Sequence, residues 1–182
     1  MNITNIDDIR KLASGDEGGR TEYKLITGQL ERGMETLCAF LNGEGGTVLF
    51  GVADNGKITG QEVSDKTKRE IAEAIRLFEP FATITVSYAN IPDTDKQVIA
   101  LYAEEQRYMR PFTYKGRAYQ RIESVTSVMP QDKYNHLLMQ RGGKYSWEAI
   151  PNPDLQISDL DENVIIGAVR AGITVSYTHL RA

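Results

Sequence analysis

The stretch Thr47-Val48-Leu49-Phe50-Gly51-Val52 constrains the fold more than any other part of the chain. It is a continuous apolar run, bounded by Gly45-Gly46 on one side and Asp54-Asn55-Gly56 on the other. A strand turns successive side chains to opposite faces, so a run that is apolar at every position needs cover on both. It is read as a buried central strand, and the neighbouring segments must supply the cover.

Those segments alternate between helical and strand periodicity. Ile6, Ile9 and Leu12 space a short opening helix that stops before Ser14-Gly15, and Thr21 to Leu25 follows as a first strand. Leu30, Met34, Leu37, Cys38 and Leu41 fall on one face of a second helix, which Asn42-Gly43 and Gly45-Gly46 stop. After the central strand, Asp54-Asn55-Gly56-Lys57 turns the chain back through Ile58 toward Val63 as a hairpin. Ile71, Ala74, Ile75 and Phe78 mark a third helix ended by Pro80, and Ile84, Val86 and Tyr88 alternate with polar residues as in a half-buried strand. Val98 to Ala103 is another strand, and Tyr114-Lys115-Gly116-Arg117 is the tip of a hairpin running to Ile122. A helix opens at Pro130, continues through Tyr134, Leu137 and Leu138, and is closed by Gly142-Gly143. The fold class is α+β, a mixed β-sheet with packed helices.

With 182 residues, 41% of them hydrophobic, the chain has material for one substantial core. The expected division is a domain over 1–143, a connector over 144–157 that holds Trp147 and Pro151-Asn152-Pro153, and the start of a further module over 158–173, opened by a Ser158 cap. The ending 174–182 has the look of a non-native tail, and the chain reads as a fragment of a longer protein. No apolar run reaches the roughly 18 residues of a membrane span and no secretory signal opens the chain, so a cytoplasmic protein without membrane contact is expected. The single cysteine, Cys38, fits a small buried thiol.

A net charge of −4 excludes a protein that coats nucleic acid over its whole surface, because counterion release needs basic groups facing phosphates. Any such site is local. From Arg107 to Arg121 the chain reads RYMRPFTYKGRAYQR, five cations and four aromatics with no acid. If its second half is a strand, Arg117, Tyr119 and Arg121 share a face, a row suited to phosphate contact and base stacking. The alternative is a solvated hairpin whose tyrosines cover a sheet edge and whose arginines pair with surface carboxylates. Lys24, Arg110, Lys115, Arg117, Tyr119 and Arg121 form the candidate nucleic-acid-binding set.

A second constellation is Glu17, Glu22 and Asp54, two carboxylates around the first strand and one after the central strand. Strand ends bring distant residues together, and three carboxylates could hold a divalent metal for phosphodiester cleavage; solvated turn acids are the other reading. Gly43-Glu44-Gly45-Gly46 follows a helix and precedes a strand, the reverse of a phosphate loop, so ATPase or helicase activity has no support in these residues. The two histidines, His136 and His179, assemble neither a zinc site nor an acyl-transfer triad.

Glu17 with Glu22-Tyr23-Lys24, Ala39-Phe40-Leu41-Asn42 with Gly45-Gly46, Gly51-Val52-Ala53-Asp54-Asn55-Gly56 and Ile58-Thr59-Gly60 resemble the motifs of the Schlafen-type AlbA domain. Tyr119-Gln120-Arg121 with Ser124 and Thr126 looks like its later strand motif, and the likeness covers residues 15 to 141. The resemblance implies a DNA-binding module of bacterial transcriptional regulators and of proteins that carry a RecG-like, ATP-binding helicase label. It implies DNA or RNA as partner. From the animal Schlafen branch it also implies a metal-dependent endoribonuclease site at Glu17, Glu22 and Asp54 with Mg²⁺ or Mn²⁺. The animal nucleases use paired copies of the module, so a homo-oligomer is expected of a single copy. A pure protein-assembly domain, with the tyrosine-rich hairpin as interface, is the third expectation.

Overall fold

A computed structural model describes residues 5–14, 19–144 and 161–179. The chain divides into two compact units, Met1–Tyr145 and Ser146–Ala182. The first begins with helix α1, Ile6–Ala13, whose Asn5 side chain accepts from the amides of Asp7 and Asp8 and whose Ile9 is fully buried. Strand β1, Thr21–Lys24, leads through a 3₁₀ turn at Thr27–Gln29 into α2, Leu30–Leu41. Strand β2, Gly46–Phe50, is buried at every position, as a two-faced apolar run requires.

Helix α3 spans Asp65–Ile75 and is followed by β3, Phe78–Glu79, β4, Ile84–Asn90, and β5, Gln97–Ala103. After β6, Thr113–Tyr114, come β7, Tyr119–Ile122, β8, Val125–Val128, and α4, Gln131–Lys144. The main sheet has the order β1-β2-β5-β4, with β1 parallel to β2 and the other pairs antiparallel. Two ribbons, β3-β6 and β7-β8, complete the β structure among the described residues. This is the α+β, mixed-sheet architecture that the alternating periodicities predict.

Alternation in the central strands divides the core. Val48, Phe50, Ile99 and Leu101 face α2 and α3 with Met34, Leu37, Phe40 and Ile71. Leu49, Val98 and Ala100 face the other way and pack with Tyr23 and Ile9. Helix α2 lies close on the sheet because Gly33 stands over Phe50, where an added Cβ would be 2.5 Å from the ring. Gly45 makes the turn from α2 into β2 at φ +76, and a Cβ there would meet the Ala103 carbonyl at 2.7 Å.

The structure corrects several sequence boundaries. Phe78 is not in α3: the helix starts earlier, at a Ser64 cap, and Phe78 is buried opposite Tyr114 in a strand pair with ring centroids 5.1 Å apart. The expected Ile58–Val63 hairpin reduces to one bridge, Val52 to Ile58, before Gln61 bridges Gln97. The tip at Lys115-Gly116 is present, with φ 51 and 74, but its flanks part: β6 pairs with β3, and β7 pairs with β8. Helix α4 continues through Gly142-Gly143, because two glycines at about 1 kcal/mol each do not outweigh continued helical hydrogen bonding.

In the second unit the described element is α5, Glu162–His179, which runs past the 158–173 bounds expected for the start of a further module. Asp161 caps it, its Oδ1 accepting from the amide of Asn163 at 2.9 Å. Ser158, Trp147 and the connector lie outside the described residues. Among the described residues no helix is long and apolar enough to cross a membrane.

Candidate nucleic-acid interface

The acid-free segment from Arg107 to Arg121 is balanced in space by acids from elsewhere in the chain. Glu105 takes Arg107 Nε at 2.5 Å and Arg110 Nη2 at 3.1 Å. The hydrogen bond from Arg107 holds the Glu105 carboxyl below its ordinary pKa. Burial pulls the Arg110 guanidinium down, and its Nε has no hydrogen-bond partner among the described residues. Lys115 reaches Glu31 on α2 at 2.7 Å, and the Tyr119 hydroxyl donates to Glu35 at 3.0 Å. Arg117, at the exposed tip, is the cation of the set that forms no salt bridge among the described residues.

Tyr119 and Arg121 do share a face, as the two-residue period requires, but that face turns inward onto α2. Tyr119 is 8% exposed, so its ring is not the stacking platform expected from the sequence. Burial first, and the Glu35 hydrogen bond second, push its phenol up to about 12. Arg121 has a side chain only 4% exposed. Its guanidinium meets Glu22 Oε2 at 2.7 Å and Thr126 Oγ1 at 3.0 Å, and lies 5.2 Å from the centre of the Phe40 ring. The physical reason is registry: β7 pairs with β8 beneath α2, so the side that looks polar in sequence fills the gap between ribbon and helix.

These contacts form a charged junction between β1, α2 and the β7-β8 ribbon. Glu22 is clamped by Lys24 through Oε1 and by Arg121 through Oε2. Thr36 on α2 and Thr126 on β8 share a hydrogen bond at 3.0 Å. A hollow of about 340 Å³ opens on this junction, lined by Lys24, Arg32, Glu35, Arg121, Ser124 and Thr126 among others. Arg32 is exposed and enters no salt bridge among the described residues. It was not in the sequence-derived set, although its place one turn from Glu35 and Thr36 on the polar side of α2 is a signal the helical spacing carries.

The carboxylate constellation does not come together in the same way. Glu17 lies outside the described residues. Asp54 is exposed and lines a separate hollow with Leu25, Ile26, Gln29 and Ala53. Glu22 is neutralised by two cations of its own chain, which leaves neither oxygen uncommitted for a metal. Among the described residues no group of three His, Cys, Asp or Glu side chains is placed to hold a metal ion. The described residues do not fit Mg²⁺ or Mn²⁺.

The architecture is that of an α+β domain with a polar junction at one edge of its mixed sheet, and the family to which it belongs is one of nucleic-acid-binding or regulator-like domains in general. The chain belongs to the Schlafen, AlbA_2 family, whose model matches residues 17–130. Its fold is similar to that of a solved structure, the DIP2311 protein from Corynebacterium diphtheriae, with a TM-score of 0.51 at 15% sequence identity. That likeness covers 75% of this chain but 32% of the other, so the chain spans about a third of the length of that protein. No curated protein matches the chain.

Proposed function

We propose that this domain binds DNA or RNA through the junction of β1, α2 and the β7-β8 ribbon, as the recognition part of a transcriptional regulator. The observation that carries the reading is the lining of that hollow, where Arg32, without a salt bridge among the described residues, meets Lys24 and the hydroxyls of Ser124 and Thr126 around the Arg121-Glu22 pair. Arg32 gains most from phosphate, because its binding releases counterions without first breaking an ion pair, while Lys24 shares the single charge of Glu22 with Arg121 and leaves that trio net positive. Hydroxyl donors position a backbone without reading its sequence. Arg117 at the hairpin tip is a further phosphate ligand in this reading, and Arg110, Lys115, Tyr119 and Arg121 build the scaffold. Two copies side by side would double the phosphate contacts, and a homodimer is part of the proposal.

The test is the affinity of the chain for short single and double strands of DNA and RNA as a function of salt. Binding at low salt is expected, with a slope that falls in Arg32→Gln and Arg117→Gln; no binding at low salt overturns the reading. Cleavage of structured RNA in Mn²⁺ by the wild type, but not by Glu22→Gln, would replace it with metal-dependent nuclease action. A concentration-dependent dimer with negligible affinity for any strand would replace it with assembly alone.

A further inference from the structure

Arg121 is a wall shared by two hollows. Behind the one described above lies another of about 290 Å³, lined by Arg20, Gly43, Glu44, Gln120, Arg121 and Lys133 among others. The charges in it are unequal in availability. Arg121 is already paired with Glu22, whose one charge it shares with Lys24. Arg20 is exposed and enters no salt bridge among the described residues, and Lys133 donates at 2.8 Å to the amide oxygen of Gln120, a neutral partner. Two whole positive charges therefore border a hollow in which Glu44, exposed on the turn after α2, is the opposing acid.

Arg20 also lines a third hollow, of about 330 Å³, whose wall includes the half-buried Tyr102 of β5 together with Leu12 and Thr47. Shared residues link all three hollows: Arg121 joins the first to the second, and Arg20 joins the second to the third. Cations followed by an aromatic ring are what a polynucleotide requires when its bases are unstacked, the charge meeting the backbone and the ring meeting a base face. A base within a duplex is already stacked on both sides and has no face to offer Tyr102.

We propose that a single-stranded polynucleotide continues from the Lys24-Arg32 hollow past Arg121, with a backbone phosphate held between Arg20 and Lys133 and a base against Tyr102. This rests on the nucleic-acid-binding reading above and adds its strand preference, its course and three ligands. Arg121 is a positioning residue in it, fixing the separation of the two phosphate sites while its own charge is spent on Glu22. Glu44 opposes the second phosphate and sets an upper limit on affinity.

The experiment is fluorescence anisotropy of the full chain with labelled single-stranded DNA and RNA oligonucleotides over a range of KCl. Arg20→Gln with Lys133→Gln removes two phosphate contacts and should lower the slope of log affinity against log salt by about 1.4, at about 0.7 per contact for a single strand. Low-salt binding through Lys24 and Arg32 should survive. Glu44→Gln should tighten binding severalfold, an effect loss of structure cannot produce. Tyr102→Leu should weaken it about tenfold while Tyr102→Phe retains it, as stacking requires.

An unchanged slope in the double variant, or a duplex bound as tightly as a single strand, overturns the proposal while leaving nucleic-acid binding in place. Displacement of the strand by a mononucleotide at equal phosphate concentration overturns it in favour of a free-nucleotide pocket. Absence of any wild-type binding overturns both readings. If the double variant does not fold, Glu44→Gln decides, and unchanged affinity in it overturns the proposal.

Discussion

Replacing Arg121 by alanine separates the structural account from the one the sequence suggests. The guanidinium is almost wholly enclosed and serves three elements at once: Glu22 on β1 at 2.7 Å, Thr126 on β8 at 3.0 Å and the Phe40 ring on α2 at 5.2 Å. Removing one partner of a buried ion pair costs about 3–5 kcal/mol, mostly from the charge left behind. Lys24 remains on Glu22 and moves the expected value to the low end, while the lost ring contact adds about 1 kcal/mol. A loss of about 3–4 kcal/mol is a large part of the roughly 5–15 kcal/mol that holds a domain together, and it lowers the melting temperature by about 10 °C. Arg117→Ala, four residues away and exposed, should change stability by less than about 0.5 kcal/mol. Urea unfolding followed by far-UV circular dichroism measures both. A double-mutant cycle with Glu22→Gln and Arg121→Met isolates the pair itself. If Arg121→Ala unfolds within about 1 kcal/mol of wild type, or if Arg117→Ala costs as much, the assignment of Arg121 to the scaffold is wrong.

Further predictions rest on other buried polar groups. Asn42, at the end of α2, donates to the carbonyls of Phe112 and Tyr119 at 2.9 and 3.0 Å and accepts from the Phe112 amide at 2.7 Å. Asn42→Ala leaves those groups unpaired and should cost about 3 kcal/mol in the same unfolding assay. Tyr119 is neutral when protonated, and folding raises its pKa from 10.0 to about 12. Its contribution is therefore complete below pH 10 and lost as pH rises toward 12, and Tyr119→Phe should remove that part of the alkaline loss of stability. The Cys38 thiol, fully buried with its Sγ 3.4 Å from the Phe112 carbonyl, is raised by burial from 9.0 to about 12. A thiol reagent at neutral pH should leave it unmodified until denaturant is added, and rapid native labelling would contradict its burial.

The core was legible in sequence because its signal is local. A run apolar at every position has one economical placement, and Met34, Leu37, Cys38 and Leu41 are all buried at the spacing that predicted their helix. The basic segment differs from its sequence reading in part because its charge balance is only half local: Glu105 sits beside the segment and takes Arg107 and Arg110, but the other partners are distant. Glu22, Glu31 and Glu35 stand 84 or more residues before Arg121, Lys115 and Tyr119, and no short window along the chain contains both partners of these three contacts. The same applies to the β7 register, which fixed that Tyr119 and Arg121 share a face but not which way the face looks. Asp54 and Glu22 were expected to converge because both adjoin strand ends, yet they line different hollows. Arg20 and Lys133 are isolated cations in the sequence, and the hollow between them exists only once Lys133 of α4 meets Gln120 of β7.

The most direct test is an amide chemical-shift titration of the chain with a single-stranded oligonucleotide at low salt. Binding as described would concentrate the shifts at Thr21 to Lys24, around Arg32 and Thr36, and from Arg121 to Thr126. Shifts confined to β4 and α3, or none at concentrations where anisotropy reports binding, would contradict it.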